Sequence, residues 1–561
     1  MPGDGQPLRI LLACARPLVL NVELWELHLK EAAAPYKAAV EKSLQGVADI
    51  GSVTAEGQVL SFNLYPPRPD DKIIKEKLTS IVPLASINVI RQPVPMDVHR
   101  PGEELEAIAK ALEGVTGVEL YVLPAATPAD VRAFLQGQAV DVLHFAGHGD
   151  KGGGLYFEDG RGSARRVTPA ELSRLVKGRV SFLFTGACHS ANALSGLFPP
   201  DTKSPRAIPA AIAVDGEHPI PTRAVYLFST AFYAGIAKGG NLKASFDNGL
   251  EAVSEDYLIG ERSLPDGADE GMPTPWKRFH LFGDASLAWK VQNGNGQKIT
   301  PLIQRSPHRK LPRTDELFVG RNIEIAATVE ALEPPRTGIG EHKARVVTLH
   351  GEGGIGKTRV AGAVAEWLAE RGKFPGGIVE VYCAPATNSV ELAIAALSAL
   401  GIERPESLPN PLAALAERLK PVGQPLLLLL DNLENLFPGN PVASQGEIVA
   451  SGNDHERNEL NELKPGILIK ELLAASPSLR ILATSRWPLN LGSDENALEV
   501  PPMRPEEAIK LFRESIPDRD IGNEIRSRPL KMAEFSEILK ATECMPLALV
   551  LAARRLQRHG E

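Results

Sequence analysis

The sequence predicts an α/β chain: an N-terminal α/β/α sandwich, then a second α/β domain closed by a helical lid. Three observations predict it. From about residue 102, amphipathic stretches alternate with short apolar runs. A second alternating series begins near residue 345, after a polar segment. From about 503 the pattern is helical only. Strand–helix alternation implies right-handed crossovers and parallel sheets.

A chain of 561 residues has room for three or four domains of about 100–200 residues each. The apolar share of 43% and charged share of 23% suit a soluble globular protein. A net charge of −8 without a basic stripe argues against direct nucleic-acid binding. Four scattered cysteines form neither a disulfide framework nor a zinc pattern, and suit a reducing cytoplasm. No apolar run reaches the ~18 residues of a membrane span.

Taken in order, residues 8–15 ("RILLACA" with its neighbours) read as a buried strand rather than a lipoprotein cleavage box, because the apolar run is too short for a signal core. Residues from about 18 to 100 mix helical and strand-like patches. Two proline-rich breaks, "LYPPRPDDK" and "RQPVPMDVHRPGEE", mark them as an insertion or added subdomain. "PGEELEAIAKALEG" is an amphipathic helix ended by glycine. Next come a strand, "VELYVL", a Thr-capped helix, "TPADVRAFLQGQ", and a strand, "VDVLHFAG". "TPAELSRLVKG" is a second capped helix and "VSFLFTGA" a further strand. Residues 290–316 are polar, basic and nearly aperiodic, and read as an interdomain linker. "RVVTLHG", "GGIVEVYCA", "QPLLLLLDN" and "LRILATSR" are the strands of the second series. Residues 437–466, rich in Gly, Asn and Glu, read as a mobile loop.

Two strand ends carry chemistry. "VDVLHFAGHG" ends in His148, and Cys188 follows "VSFLFTGA" forty positions later. Reactive groups of open parallel sheets gather at the carboxyl ends of the strands. An imidazole there can take the proton of a thiol. The backbone N–H groups of Gly149 and Cys188 can stabilise an oxyanion. The same residues also fit a buried thiol and an ordinary loop histidine. His144 and His148 have H-x-x-x-H spacing, but on a strand their rings do not share a face, so His144 reads as packed rather than metal-binding. His189 is assigned no role.

"DVLHFAGHG" with "FTGACHSA" resembles the CHAT proteases, caspase-like members of the caspase–separase clan. The resemblance extends to "ATPADVRAFLQGQAVDVLHFAGHG", to "IPAAIAVDGEHPIPTRAVYLFSTAFYAGIAKGGNLKASFDNGL" and to "FHLFGDASLAW". It implies a caspase-like sandwich over residues 1–290, with the 18–100 insertion outside the family pattern. Cys188 is then the nucleophile and His148 the general base. Related metacaspases carry an Asp two residues before the cysteine for a basic substrate side chain. Here that position is Gly186, so a basic specificity is not implied.

"GEGGIGKT" matches the phosphate-loop pattern between a strand and a helix. Gly351, Gly353, Gly354 and Gly356 let backbone N–H groups ring phosphate oxygens at the helix N-terminus. Lys357 neutralises those oxygens, and Thr358 reaches a magnesium ion. Five consecutive leucines make a doubly buried strand ending in Asp431, the second metal-site residue. Asn432 follows, where hydrolytic relatives place a second acid. Glu434 is the nearest candidate base, and equally reads as a solvated loop charge.

These residues resemble the STAND class of P-loop NTPases, of the NB-ARC type. "ELFVGRNIEIAATVEAL" is similar to its entry segment, which implies Arg321 near the base or ribose. "LRILATSR" is similar to its sensor strand, implying Arg486 at the γ-phosphate. "LEVPPMRPEEAIKLF" resembles the start of the helical lid. "ECMPLALVLAARRL" resembles the lid motif whose proline, here Pro546, touches adenine. Cys544 replaces that motif's usual glycine, which predicts a different local turn.

Together the two resemblances imply a CHAT domain (1–290), a linker (291–316), a P-loop STAND NTPase domain (317–500) and a helical lid (501–561). ATP or ADP with Mg2+ would be the cofactors. The expected function is a cytoplasmic, nucleotide-regulated cysteine endopeptidase acting on protein substrates. ATP would drive homo-oligomerisation on a signal from an activating ligand or sensor protein, in bacterial defence or cell death. The rival reading is a non-proteolytic, ATP-driven signalling scaffold whose caspase-like part is an interaction module. Family members continue into a winged helix and repeat sensor; the end at Glu561 reads as truncation, or as sensing by another polypeptide.

Overall fold

The structure is a computed structural model. It describes residues 7–44, 49–50, 53–65, 71–96, 101–113, 115–199, 205–259, 273–289, 291–293, 298–311, 317–333, 344–420, 424–436, 465–516 and 532–555. The predicted loop at 437–466 falls, but for its last two residues, outside them. The chain divides into two compact units, Met1–Leu302 and Ile303–Glu561.

The first unit is built on a seven-stranded sheet. In chain order its strands are β1 (Leu8–Cys14), β2 (Val118–Leu123), β3 (Val140–Ala146), β7 (Val180–Thr185), β8 (Ala210–Val214), β9 (Phe279–Gly283) and β10 (Lys298–Pro301). Between β3 and β7 lies a small antiparallel sheet, β4 (His148–Gly149), β5 (Leu155–Glu158) and β6 (Ala164–Val167). The spatial order of the large sheet is β9-β8-β7-β3-β1-β2-β10, parallel except for the β8–β9 pair. Crossovers are made by α1 (Pro101–Ala111), α2 (Pro128–Gly137) and α3 (Pro169–Val176), and β7 is followed by the short α4 (Ser190–Ala193). Then come α5 (Thr222–Ala237) and α6 (Leu242–Ile259). The Thr127 and Thr168 hydroxyls accept N–H bonds at the starts of α2 and α3, and Glu171 completes a capping box.

The central strands are buried on both faces. Ile10, Leu12, Val142, Phe182, Phe184 and Ile212 share one face and pack against α1, α5 and α6. The 18–100 insertion is a sheet of its own. Its long strand Val19–Leu29 pairs antiparallel with Val59–Tyr65 and Leu84–Pro95, and helices Lys37–Leu44 and Asp71–Thr79 cover one face.

The second unit carries a six-stranded, all-parallel sheet: β11 (His308–Arg309), β12 (Val346–His350), β13 (Gly377–Tyr382), β14 (Leu426–Asp431), β15 (Leu479–Ser485) and β16 (Glu495–Glu499). Their order is β11-β13-β14-β15-β12-β16. Leu427–Leu430 of β14 are at most 3% exposed. Removing one such side chain to Ala costs about 2–5 kcal/mol. Helices α7 (Asn322–Leu332) and α8 (Lys357–Glu370) flank β12. The last helices, α9 (Pro505–Glu514), α10 (Met532–Thr542) and α11 (Pro546–Arg555), form a separate apolar cluster.

The predicted linker departs from expectation. Within residues 290–316, β10 joins the first sheet beside β2, and β11 joins the second beside β13. Both runs are too short to show a period in sequence. His308 anchors β11: its Nε2 lies 2.8 Å from Glu380 Oε1 and its Nδ1 lies 3.4 Å from Glu366 Oε2.

Candidate functional sites: a thiol–imidazole edge and a phosphate-loop cavity

β3 and β7 are neighbours in constant register, Val140 opposite Val180 and Phe145 opposite Thr185. That offset of forty is also the offset between His148 and Cys188. Both residues therefore emerge at one sheet edge, three positions beyond the last register pair. Gly149 shows how tightly the two tips approach. A Cβ placed there would lie 2.3 Å from the Cys188 carbonyl oxygen and 3.4 Å from the Ala187 Cβ. Only glycine fits this crossing.

The sulfur of Cys188 accepts an N–H from Ile220 at 3.4 Å. Gly186 packs under α5, where a Cβ would meet Val225 Cγ1 at 2.3 Å. An acidic side chain has no room there, which gives the missing Asp of the metacaspase pattern a steric reason. His189 adopts φ 58° at the start of α4, and its Nδ1 lies 3.0 Å from the Gly216 carbonyl. Of the other thiols, Cys14 and Cys383 are buried. Burial, aided by Glu104, pushes Cys14 up to about 12.

Several residues at this edge gave no signal in the sequence. Asn192 on α4 donates to the Lys151 carbonyl at 2.9 Å and the Gly216 carbonyl at 3.0 Å. It ties the Cys188 turn to the loop after His148 and to the loop after β8. Arg166 holds Asp150 through two bonds, Nε–Oδ2 at 2.5 Å and Nη2–Oδ1 at 2.8 Å. Burial pushes the Asp150 carboxyl up, but Arg166, the Gly154 N–H and Tyr156 outweigh it and leave it below its usual value. His144 is 1% exposed and lies on the core face. Its Nε2 is 3.1 Å from Glu104 Oε1 and its Nδ1 is 3.2 Å from the Tyr233 hydroxyl, while its ring stacks on Phe184. It is a packed histidine, and no group of three metal-ligating side chains occurs among the described residues.

In the second unit, a cavity of about 360 Å³ opens above β12. Gly353, Gly354, Gly356, Lys357, Thr358 and Arg486 line its polar end. Phe318, Val319, Met503, Pro546, Leu547 and Leu551 form apolar walls. Gly354 and Gly356 have φ of 82° and 98°, values that turn the loop into α8. Lys357 Nζ donates to the Gly351 and Glu352 carbonyls at 2.8 and 2.9 Å. Asp431 Oδ1 accepts from Thr358 at 2.7 Å and from Thr484 at 2.6 Å. Thr358 and Asp431, the pair expected to hold a metal, are thus in direct contact across one strand, β15, that separates β14 from β12.

Arg321 lines the cavity, but its guanidinium is spent on Glu324 and on the Pro501 and Ile355 carbonyls. Arg486 lies 3.7 Å from Glu434 Oε1. Glu434 is not a solvated loop charge: it lines the cavity, and its Oε2 is buried with no hydrogen-bond partner among the described residues. Pro546 and Leu547 bring α11 onto the phosphate loop, where the Leu547 N–H donates to the Gly354 carbonyl at 3.3 Å. The turn at Cys544 is left-handed. Cys544 and Glu543 take φ of 55° and 48°, so a turn of the kind glycine favours forms without glycine, at about 1–2 kcal/mol per residue.

These features fit a magnesium nucleotide: a glycine-rich loop at a helix N-terminus, a lysine, a Thr–Asp pair and an apolar slot. Among the described residues, no helix is long and apolar enough to cross a membrane.

Comparison with known families places a CHAT domain over residues 79–245 and an AAA domain over residues 340–481. The CHAT match does not include β1, which lies between β3 and β2 in the sheet. Curated relatives include three mycobacterial proteins, one from Mycobacterium bovis and two from Mycobacterium tuberculosis, each named "Putative HTH-type transcriptional regulator". Each is 30% identical over 216 residues, 38% of this chain and 20% of the relative. The chain thus spans about a fifth of their length. Among solved structures, a STAND protein with a tetratricopeptide repeat sensor from Pyrococcus horikoshii aligns over 43% of this chain and 30% of its own, with 18% identity and a TM-score of 0.26. The ORC1 protein of Aeropyrum pernix, in complex with DNA, aligns over 44% of this chain and 62% of its own, with 18% identity and a TM-score of 0.30.

Proposed function

We propose that this chain, in which a CHAT domain is joined to an AAA-type P-loop domain, is a nucleotide-regulated cysteine endopeptidase. The observation that carries the reading is the shared offset of forty, which delivers His148 and Cys188 to adjacent strand tips. His148 takes the thiol proton as the sulfur attacks a peptide carbonyl. The N–H groups of Gly149 and Cys188 hold the oxyanion. His148 returns the proton to the departing amine, then deprotonates the water that releases the acyl group.

The second unit would act as the switch, in the manner of STAND NTPases. Gly351, Gly353, Gly354, Gly356 and Lys357 hold phosphates, Thr358 and Asp431 hold Mg2+, and Arg486 faces the terminal phosphate. Arg321 braces the loop and Pro546 contacts the base. Bound ATP supplies differential binding energy between a resting form and an assembling one. Because α11 rests on the phosphate loop, nucleotide exchange and lid position are coupled through Pro546 and Leu547. A cytoplasmic defence or cell-death role, with an activating ligand or sensor protein and homo-oligomerisation, completes the reading.

The test compares wild type, Cys188→Ala and His148→Ala in cleavage of proteins from a bacterial lysate, with ATP and Mg2+, read by N-terminal peptide sequencing. New N-termini that vanish in both variants support the peptidase. Equal cleavage by all three removes it.

A further inference from the structure

Arg278 is 4% exposed, immediately before β9, and takes no part in the chemistry proposed above. Its Nη1 donates to the Pro219 carbonyl and its Nε to the Pro273 carbonyl at 2.8 Å. Its own carbonyl accepts the Asp215 N–H at 2.7 Å. The Pro219 carbonyl belongs to the same planar peptide unit as the Ile220 N–H. That N–H is the one that meets Cys188 Sγ at 3.4 Å. In a trans peptide the oxygen and hydrogen point opposite ways, so one unit links guanidinium and sulfur. Pro219 and Pro221 flank Ile220 and lack N–H groups, so the segment offers the sulfur a single donor. The residue before a proline is also conformationally restricted, which holds that donor in place.

We propose that Arg278 is a positioning residue for the Cys188 thiolate, acting through the Pro219–Ile220 peptide. The cation at the oxygen end fixes the peptide plane and polarises the N–H toward the sulfur. A thiolate is the stronger acceptor, so the arrangement favours the charged form. Other ionisable groups in this region are His218 and Asp215 in the loop after β8, His280 on β9 and Tyr257 on α6, with His189 next to Cys188 in the chain and His148 on the neighbouring strand tip. Asp215 is held by the Glu217 and His218 N–H groups and lies against His218 and His280.

The proposal rests on Cys188 being the nucleophile of the peptidase reading. Its test reads the thiol without any substrate: iodoacetamide alkylation of Cys188 in the full chain, followed by peptide mass spectrometry across pH. Arg278→Gln is expected to raise the apparent pKa of Cys188 by about one unit and slow its alkylation at pH 7 by roughly tenfold. Arg278→Lys should retain most of the wild-type rate, and Cys544 alkylation should not change. Ile220→Pro removes the donor while leaving Arg278, and should raise the pKa likewise. A shift in folded Arg278→Gln supports the role whether or not the wild type cleaves proteins. Wild-type profiles in folded Arg278→Gln or in folded Ile220→Pro overturn it, and leave the peptidase reading standing if wild-type cleavage requires Cys188.

Discussion

Phe145 pairs with Thr185 across two parallel strands, so His148 and Cys188 leave the sheet together, each three residues further on. Gly149 sits where the two tips cross. Gly149→Val would drive side-chain carbon into the Cys188 carbonyl, and the backbone must part. The expected result is a fall in Cys188-dependent cleavage of at least about a hundredfold, as a displacement of 1 Å costs at an active site. Cleavage assays with circular dichroism as a fold control check this.

Asn192 should matter for geometry more than for stability. Its two carbonyl contacts are worth about 0.5–1.5 kcal/mol each. Asn192→Ala should therefore lower the unfolding free energy by roughly 1–3 kcal/mol. It should lower kcat more than it raises KM, because the three loops it joins would fluctuate around the thiol. A change confined to KM would assign Asn192 to substrate binding instead.

Lys357→Ala should abolish nucleotide binding. In wild type Lys357 is buried and its ammonium is held by two loop carbonyls, and burial pulls its pKa down while Glu434 and Asp431 oppose that. Isothermal titration with ATP and Mg2+ should show no heat in the variant, and light scattering no ATP-dependent assembly. Retained assembly would separate oligomerisation from the cavity.

His308 predicts a pH dependence of stability in the second unit. Burial lowers its pKa, but hydrogen bonds to Glu366 and Glu380 outweigh that and raise it above the usual value near 6.5. A raised folded pKa means that the protonated pair stabilises fully below about pH 6.5 and that this contribution is lost as pH climbs through the folded pKa. His308→Gln should be less stable at pH 6, and its deficit should shrink toward pH 9. Thermal unfolding of both forms across that range measures it. A deficit that is constant with pH would assign His308 a packing role only.

Much of both sites was legible because chemistry sat at the ends of apolar runs. "VDVLHFAGHG", "VSFLFTGACHS" and "QPLLLLLDN" are strands whose buried faces fix their register, and register carries the tip residues with it. The rest was hidden for physical reasons. β4 and β11 are two residues long, below any detectable period. The insertion sheet has one covered and one solvent-facing side interrupted by loops, so its strands blur into a mixed pattern. Asn192, Arg166 and Arg278 act through partners 24 to 59 positions away or across a glycine turn, and single polar residues carry no spacing signal. Glu434 was visible only as a charge near Asp431; its place in the cavity wall, with one oxygen buried, needed coordinates.

The central claim is that the His148 imidazole activates the Cys188 thiol. The direct measurement is the alkylation rate of each cysteine at pH 7 in wild type and in His148→Ala. Cys188 should react at least about tenfold faster than Cys544, the other partly exposed thiol, whose pKa is raised by burial. His148→Ala should erase that advantage. Cys188 reacting no faster than Cys544, with the same rate in both proteins, would contradict the account.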